Sequence, residues 1–141
     1  MKNIVMDLDH TICTPKQGED QSLYKDLKYS SATPNLPVIE TLRHYKQQGF
    51  HITIFTSRNM RTFNGDVEAI KANTLPIIMS WLEKHAVPFD QVIVGKPWCG
   101  TEGFYVDDRA IRPSEFATLS FEQISQMLEK EKLTCAEPSG E

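Results

Sequence analysis

Asn3 to Met6 form a short apolar run, and two aspartates follow it one residue apart, Asp7 and Asp9. The run predicts a buried parallel strand, because strands covered on both faces read as continuous hydrophobic stretches. Ile12 to Thr33 shows no sustained period and carries Pro15, Gly18 and several charges, which predicts a flap or loop excursion. Thr33-Pro34-Asn35-Leu36-Pro37 predicts a helix start, since proline is tolerated only in the first turn. Val38, Leu42 and Tyr45 then recur at helical spacing up to a stop at Gly49. His51 to Thr56, β-branched and aromatic, predicts a second strand. Between Asn59 and Asn73 the pattern weakens, with a turn at Asn64-Gly65-Asp66. Leu75, Ile78, Met79 and Leu82 restore an apolar helical stripe running to about His85, with Pro76 in its first turn. Gln91 to Val94 predicts a third strand ending at Gly95-Lys96-Pro97, and Gly103 to Val106 a fourth that delivers Asp107 and Asp108. Ser120 and Gln123 have capping-box spacing and open a last helix carrying Phe121, Ile124, Met127 and Leu128.

Strands alternating with helices imply right-handed crossovers and a parallel sheet covered by helices. The predicted fold is a single doubly wound, Rossmann-like α/β domain over residues 1–133. It has a short flap at about 12–33 and a flexible tail at 134–141. In open sheets of this kind ligands bind outside the carboxyl ends of the strands. Asp7 and Asp9, Thr56, Lys96, and Asp107 with Asp108 all lie just past predicted strand ends. Their conjunction, rather than any one of them, predicts a site at that edge.

Composition narrows the classes. A net charge of −4 over 141 residues argues against nucleic acid or an anionic membrane as the main partner, since both call for concentrated positive charge. The three cysteines are far apart and have no metal-ligand spacing, which suits a reducing, cytoplasmic setting. Asp7 and Asp9 interrupt any secretory-type segment, and Leu75 to Leu82 is too short to span a bilayer.

Two carboxylates as close as Asp7 and Asp9 repel one another unless a cation or a shared proton compensates. DLDHT, FTSR, GKP and YVDD, in that order, resemble the four motifs of the haloacid-dehalogenase-like phosphatase superfamily. RNMRTFNG, the TLPII stretch with WLEKH, VPFD, VGKPWCG and DDRAIRPSEF resemble its capsule biosynthesis phosphatase subfamily, over roughly Met1 to Ile124. The resemblance implies a Mg²⁺-dependent phosphomonoesterase acting through an aspartyl-phosphate on a small phosphorylated metabolite, a sugar or polyol phosphate. It makes Asp7 the nucleophile and Asp9 the general acid and base, a chemistry that carboxylates can supply. Thr56 and Lys96 would hold phosphoryl oxygens. Mg²⁺ would be held by Asp7, the Asp9 carbonyl, and Asp107 or Asp108, with Asp107 favoured as the direct ligand. Ser57, Arg58, Arg61 and Trp98 are candidate substrate contacts, Arg58 and Arg61 being equally well explained as surface or structural charges. His10 and Cys13 are read as chemically silent.

An acid at Asp9 resembles phosphatases and phosphomutases, and the lack of room for a cap domain favours the former. Cap-poor relatives often cover their sites by association, so a homo-oligomer is expected. Two other readings compete: a phosphoprotein or other macromolecular phosphatase reached through an open site, and a non-catalytic module that binds phosphorylated metabolites.

Overall fold

The computed structural model describes residues 1–15 and 29–136, with side chains to residue 133. It is a mixed α/β structure with a three-stranded parallel sheet and, among the described residues, five helices. The chain divides into two compact units, Met1–Trp98 and Cys99–Glu141.

In the first unit the order is β1 (Asn3–Met6), β2 (Cys13–Thr14), β3 (Thr33–Pro34), α1 (Leu36–Gln47), β4 (His51–Thr56), α2 (Val67–Asn73), α3 (Leu75–Lys84) and β5 (Gln91–Val94). The parallel sheet runs β1-β4-β5, so each crossover joins neighbouring strands. Ile4 pairs with Ile52 and Met6 with Ile54, while Ile54 pairs with Val92 and Thr56 with Val94. One sheet face carries Met6, Ile52, Ile54, Thr56 and Val94, all buried. Val5 and Ile93 point to the other face and are 66% and 42% exposed. Burial in β1 and β5 therefore alternates, where the unbroken apolar runs predicted burial on both faces.

Helix α1 buries Val38, Ile39, Leu42 and Tyr45, one stripe at three- and four-residue spacing. Pro37 occupies its first turn, and Gly49 at φ +90° ends it, a conformation open to glycine at little cost. Thr33 and Pro34 belong to β3 rather than to the helix start, pairing antiparallel with Cys13 and Thr14. This short ladder closes the base of the predicted flap; its residues 16–28 lie outside the described residues, as do 137–141 of the predicted tail.

Helix α2 has no counterpart in the predicted elements. Its seven residues bury only Ile70, too few apolar positions to show a period, and what specifies it is a cap. The Asp66 carboxylate accepts from the Ala69 N–H at 3.2 Å. Helix α3 buries Ile78, Trp81 and Leu82, and the Trp81 indole donates to the Ala32 carbonyl at 3.0 Å. Asp90 fastens the sheet entrance: its carboxylate accepts from Lys46 Nζ at 2.6 and 2.7 Å and from the Ile52 N–H at 2.8 Å.

The second unit holds α4 (Pro113–Thr118) and α5 (Phe121–Ala136). The Ser120 hydroxyl accepts from the Gln123 N–H at 3.1 Å while Gln123 Oε1 accepts from the Ser120 N–H at 2.9 Å, the reciprocal cap its spacing predicts. The predicted fourth strand, residues 103–106, is not among the strands of the described residues: the parallel sheet has three, and Phe104 and Val106 are exposed. A strand exists through its pairing, which an apolar triplet alone does not supply. Gly103 sits in a tight turn where a Cβ would lie 2.2 Å from the Cys99 carbonyl oxygen, so no side chain fits there.

Candidate active site

Three segments of the first unit end at the carboxyl edge of its sheet. Asp7 follows β1, Thr56 closes β4, and the ladder continues one step past β5, where the Lys96 N–H donates to the Thr56 carbonyl at 3.1 Å. Gly95 makes that turn possible. Its φ is +89°, and a Cβ would meet Val67 Cγ2 at 3.0 Å, so both the backbone angle and the space favour glycine.

Asp7 precedes, and Asp9 lies within, a tight turn in which the Leu8 carbonyl accepts from the N–H groups of Thr11, Ile12 and Cys13. Leu8, Ile12 and Cys13 are buried beneath it, and His10 crosses its top at φ +65°. The left-handed backbone angle costs a non-glycine residue conformational energy, a backbone account of His10 that involves no side-chain chemistry.

The two carboxylates have different partners. Asp7 Oδ2 accepts from the Thr11 hydroxyl at 3.0 Å, and Asp7 Oδ1 lies 3.6 Å from Lys96 Nζ. Its side chain is 38% exposed. Asp9 is gripped by Arg58: Nε donates to Oδ2 at 3.0 Å and Nη2 to Oδ1 at 2.6 Å. This two-pronged pair is the strongest geometry a carboxylate and a guanidinium can adopt. The Arg58 side chain is 1% exposed. The Arg58 N–H donates to Thr56 Oγ1 at 3.0 Å; with that acceptor role filled, the buried Thr56 hydroxyl keeps its own O–H to donate.

Cys13 completes the Asp9 corner, its thiol donating to Asp9 Oδ1 at 3.5 Å. Burial, and then the neighbouring Asp9 charge, pushes the Cys13 thiol up to about 12, so it is protonated and unreactive near neutrality. Tyr29 lays its ring 4.2 Å from the Arg58 guanidinium carbon. Burial, followed by Asp9, raises its phenol above the ordinary value.

Sequence reasoning grouped these residues by strand end, and the structure sorts them more finely. Asp7 meets Lys96, and Thr56 stands beside them in the ladder. Arg58 turns to Asp9, where a substrate contact was one of its two readings. Arg61 faces Trp98, its guanidinium carbon 5.8 Å from the ring centroid, and Ser57 is half-buried. Asp107 and Asp108 lie in the second unit, both exposed, with Asp107 Oδ1 accepting from the Arg109 N–H at 2.7 Å. Thr11 and Tyr29 are not among the site residues that the sequence predicts. Thr11 could have been found, four residues after Asp7 across one turn; Tyr29 lies far off in sequence with no local signal.

Among the described residues no three His, Cys, Asp or Glu side chains cluster as a metal set. The oxygen donor the first unit offers a cation at this edge is the Asp7 carboxylate, a hard donor of the kind Mg²⁺ accepts that is not consumed by an arginine. The donor chemistry fits. Among the described residues no helix is long and apolar enough to cross a membrane.

No family model matches the chain, and no curated protein matches it. Among solved structures it is similar to a target protein from Vibrio cholerae, at 51% identity with a TM-score of 0.84, over 93% of this chain and 99% of that one. Two chains described as parts of the Pnkp1/Rnl/Hen1 RNA repair complex also align, at 17% and 20% identity and a TM-score of 0.49 each. This chain covers 99% and 84% of its own length in those alignments but only 32% and 34% of theirs. On its identity and its coverage of both sequences, the chain belongs to the same family as the Vibrio cholerae protein.

Proposed function

We propose that the protein is a haloacid-dehalogenase-like phosphatase: a Mg²⁺-dependent phosphomonoesterase that works through an aspartyl-phosphate on Asp7. The observation that carries this reading is the contrast at the end of β1. One carboxylate is open and faces a lysine at 3.6 Å; the other, two residues on, is held apart by a buried arginine.

Asp7 attacks phosphorus, forming an acyl-phosphate and releasing the alcohol, and so replaces one hard displacement by two easier ones. Lys96 and the Thr56 O–H support this reading as stabilisers of the phosphoryl oxygens, where charge must be balanced during transfer. Asp9 gives a proton to the departing oxygen and later accepts one from the water that hydrolyses the acyl-phosphate. When bound, Mg²⁺ would offset the repulsion between the Asp7 carboxylate and a dianionic phosphate. Asp7 and the Asp9 carbonyl would hold it, and the resemblance adds Asp107 or Asp108. The substrate class is a small sugar or polyol phosphate of capsular polysaccharide synthesis, which rests on the subfamily resemblance, as does the doubly wound fold.

A phosphate-release screen over phosphorylated sugars, polyols and phosphopeptides tests the reading. Release from the small phosphates that needs Mg²⁺ and stops with chelator is the expected result. Preference for the phosphopeptides would move the protein to a macromolecular substrate. Binding without release from any substrate would make it a non-catalytic module.

A further inference from the structure

Arg58 stands at the exit of β4, one residue past Ser57, where a cation could serve a substrate phosphate. Its surroundings close that route. The side chain is 1% exposed, and both Nε and Nη2 are spent on Asp9. Its backbone is pinned by Thr56 Oγ1, its face is covered by the Tyr29 ring, and Nη2 also lies 3.7 Å from Cys13 Sγ. Nη1 is buried and has no hydrogen-bond partner among the described residues. A buried guanidinium with an unspent donor is a poor way to gain stability, because an apolar side chain of similar volume often serves as well or better. What the guanidinium supplies and an apolar chain cannot is a rigid two-pronged fork that fixes a carboxylate plane.

We propose that Arg58 is a positioning residue for Asp9, holding its carboxylate in the orientation from which it moves protons at the Asp7 site. This rests on the phosphatase reading above. Asp9 Oδ2 takes a single hydrogen bond from Arg58, through Nε, which leaves a lone pair on that oxygen for a proton. In the first half-reaction the bond from phosphorus to the leaving oxygen breaks, the bond to Asp7 forms, and the Asp9 proton passes to the leaving oxygen. In the second, water adds to phosphorus, its proton passes to Asp9, and the bond to Asp7 breaks. A freely rotating Asp9 would serve both transfers badly. The phosphoryl contacts of Lys96 and Thr56 would be untouched.

The test compares Arg58→Lys, Arg58→Met and Asp9→Asn with wild type on a graded series from 4-nitrophenyl to 4-methylphenyl phosphate, with Mg²⁺ present and folding checked by circular dichroism. The nitrophenolate leaving group needs little protonation, while the methylphenolate needs a well-placed acid. We expect both Arg58 variants to lose at least about 10-fold more kcat/KM on the methylphenyl ester than on the nitrophenyl one, within the range a general acid supplies. Asp9→Asn should show the same pattern, and Asp9→Asn with Arg58→Met together should be no worse than Asp9→Asn alone. Slow hydrolysis of the acyl-phosphate should also give a burst of nitrophenolate in Arg58→Lys. Equal losses across the series, or a rise in KM alone, overturn the proposal in favour of a structural or a substrate-binding arginine. Failure of both Arg58 variants to fold also overturns it, since the pair then serves the fold. No turnover by wild type defeats the phosphatase reading itself, and the two failures are thereby distinct.

Discussion

Two carboxylates stand two residues apart at the end of β1 in opposite surroundings. Asp7 is half-open, touched by one hydroxyl and faced by a lysine at 3.6 Å. Asp9 is locked by a guanidinium that is itself buried, stacked and pinned through its own backbone. A loosely held carboxylate can take on a new partner, and a tightly held one can keep an orientation. On the proposed mechanism, this contrast would let one short loop carry an attacking group and a proton carrier without the two exchanging roles.

The sharpest way to break that contrast is Asp7→Asn. The amide keeps the shape and removes the proposed nucleophile, so kcat should fall by at least about 10⁴-fold with the fold unchanged by circular dichroism. Next comes Lys96→Met. Loss of its proposed charge stabilisation should cost roughly 10²- to 10³-fold in kcat, measured in steady state with 4-nitrophenyl phosphate. An effect confined to KM would show that Lys96 only gathers substrate.

Cys13 probes the closed side. Its thiol is buried and pushed up to about 12, so iodoacetamide at pH 8 should leave the Cys13 peptide unlabelled while the half-exposed Cys99 reacts, as read by peptide mass mapping. The same shift sets a sign. An unfolded chain gives up this proton near the ordinary value of 9.0 and the folded one near 12. Between those values the unfolded state holds fewer protons, and stability falls as pH rises. Thermal melts from pH 8.5 to 11 should decline less steeply in Cys13→Ala than in wild type.

The smallest effect belongs to Asp90, far from the chemistry but tied to the sheet that aligns it. Hydrogen bonds from Lys46 and then from the Ile52 N–H hold its carboxyl below the usual value of 3.8. The stability this provides is present above that value and is lost as pH falls through the lower folded-state value. Asp90→Asn should therefore lower Tm at pH 7, and the difference from wild type should shrink in acid.

Much of this architecture is legible in the sequence, for identifiable reasons. β1 and β5 are short apolar runs and β4 a β-branched and aromatic stretch, each followed by polar residues, and α1, α3 and α5 are long enough for a stripe or a reciprocal cap to be seen. Helix α2 escaped because it is seven residues long and specified by Asp66 rather than by a hydrophobic period. Residues 103–106 failed the other way, having the composition of a strand without its backbone conformation. At the site, strand ends are a local property, so Asp7, Thr56 and Lys96 could be grouped in advance. The partner of Asp9 is a tertiary property. Arg58 lies 49 residues away and Tyr29 meets it through space, and side-chain direction after a strand end cannot be read from spacing.

The central claim is that Asp7 carries the phosphoryl group. It is tested most directly by acid-quenching wild-type and Asp9→Asn protein during turnover of 4-nitrophenyl phosphate with Mg²⁺ and mapping the peptides by mass. One phosphoryl group on the peptide containing Asp7, accumulating further in Asp9→Asn, is the predicted result. Sustained turnover with no phosphoryl-enzyme, or with the group on any other residue, would contradict it.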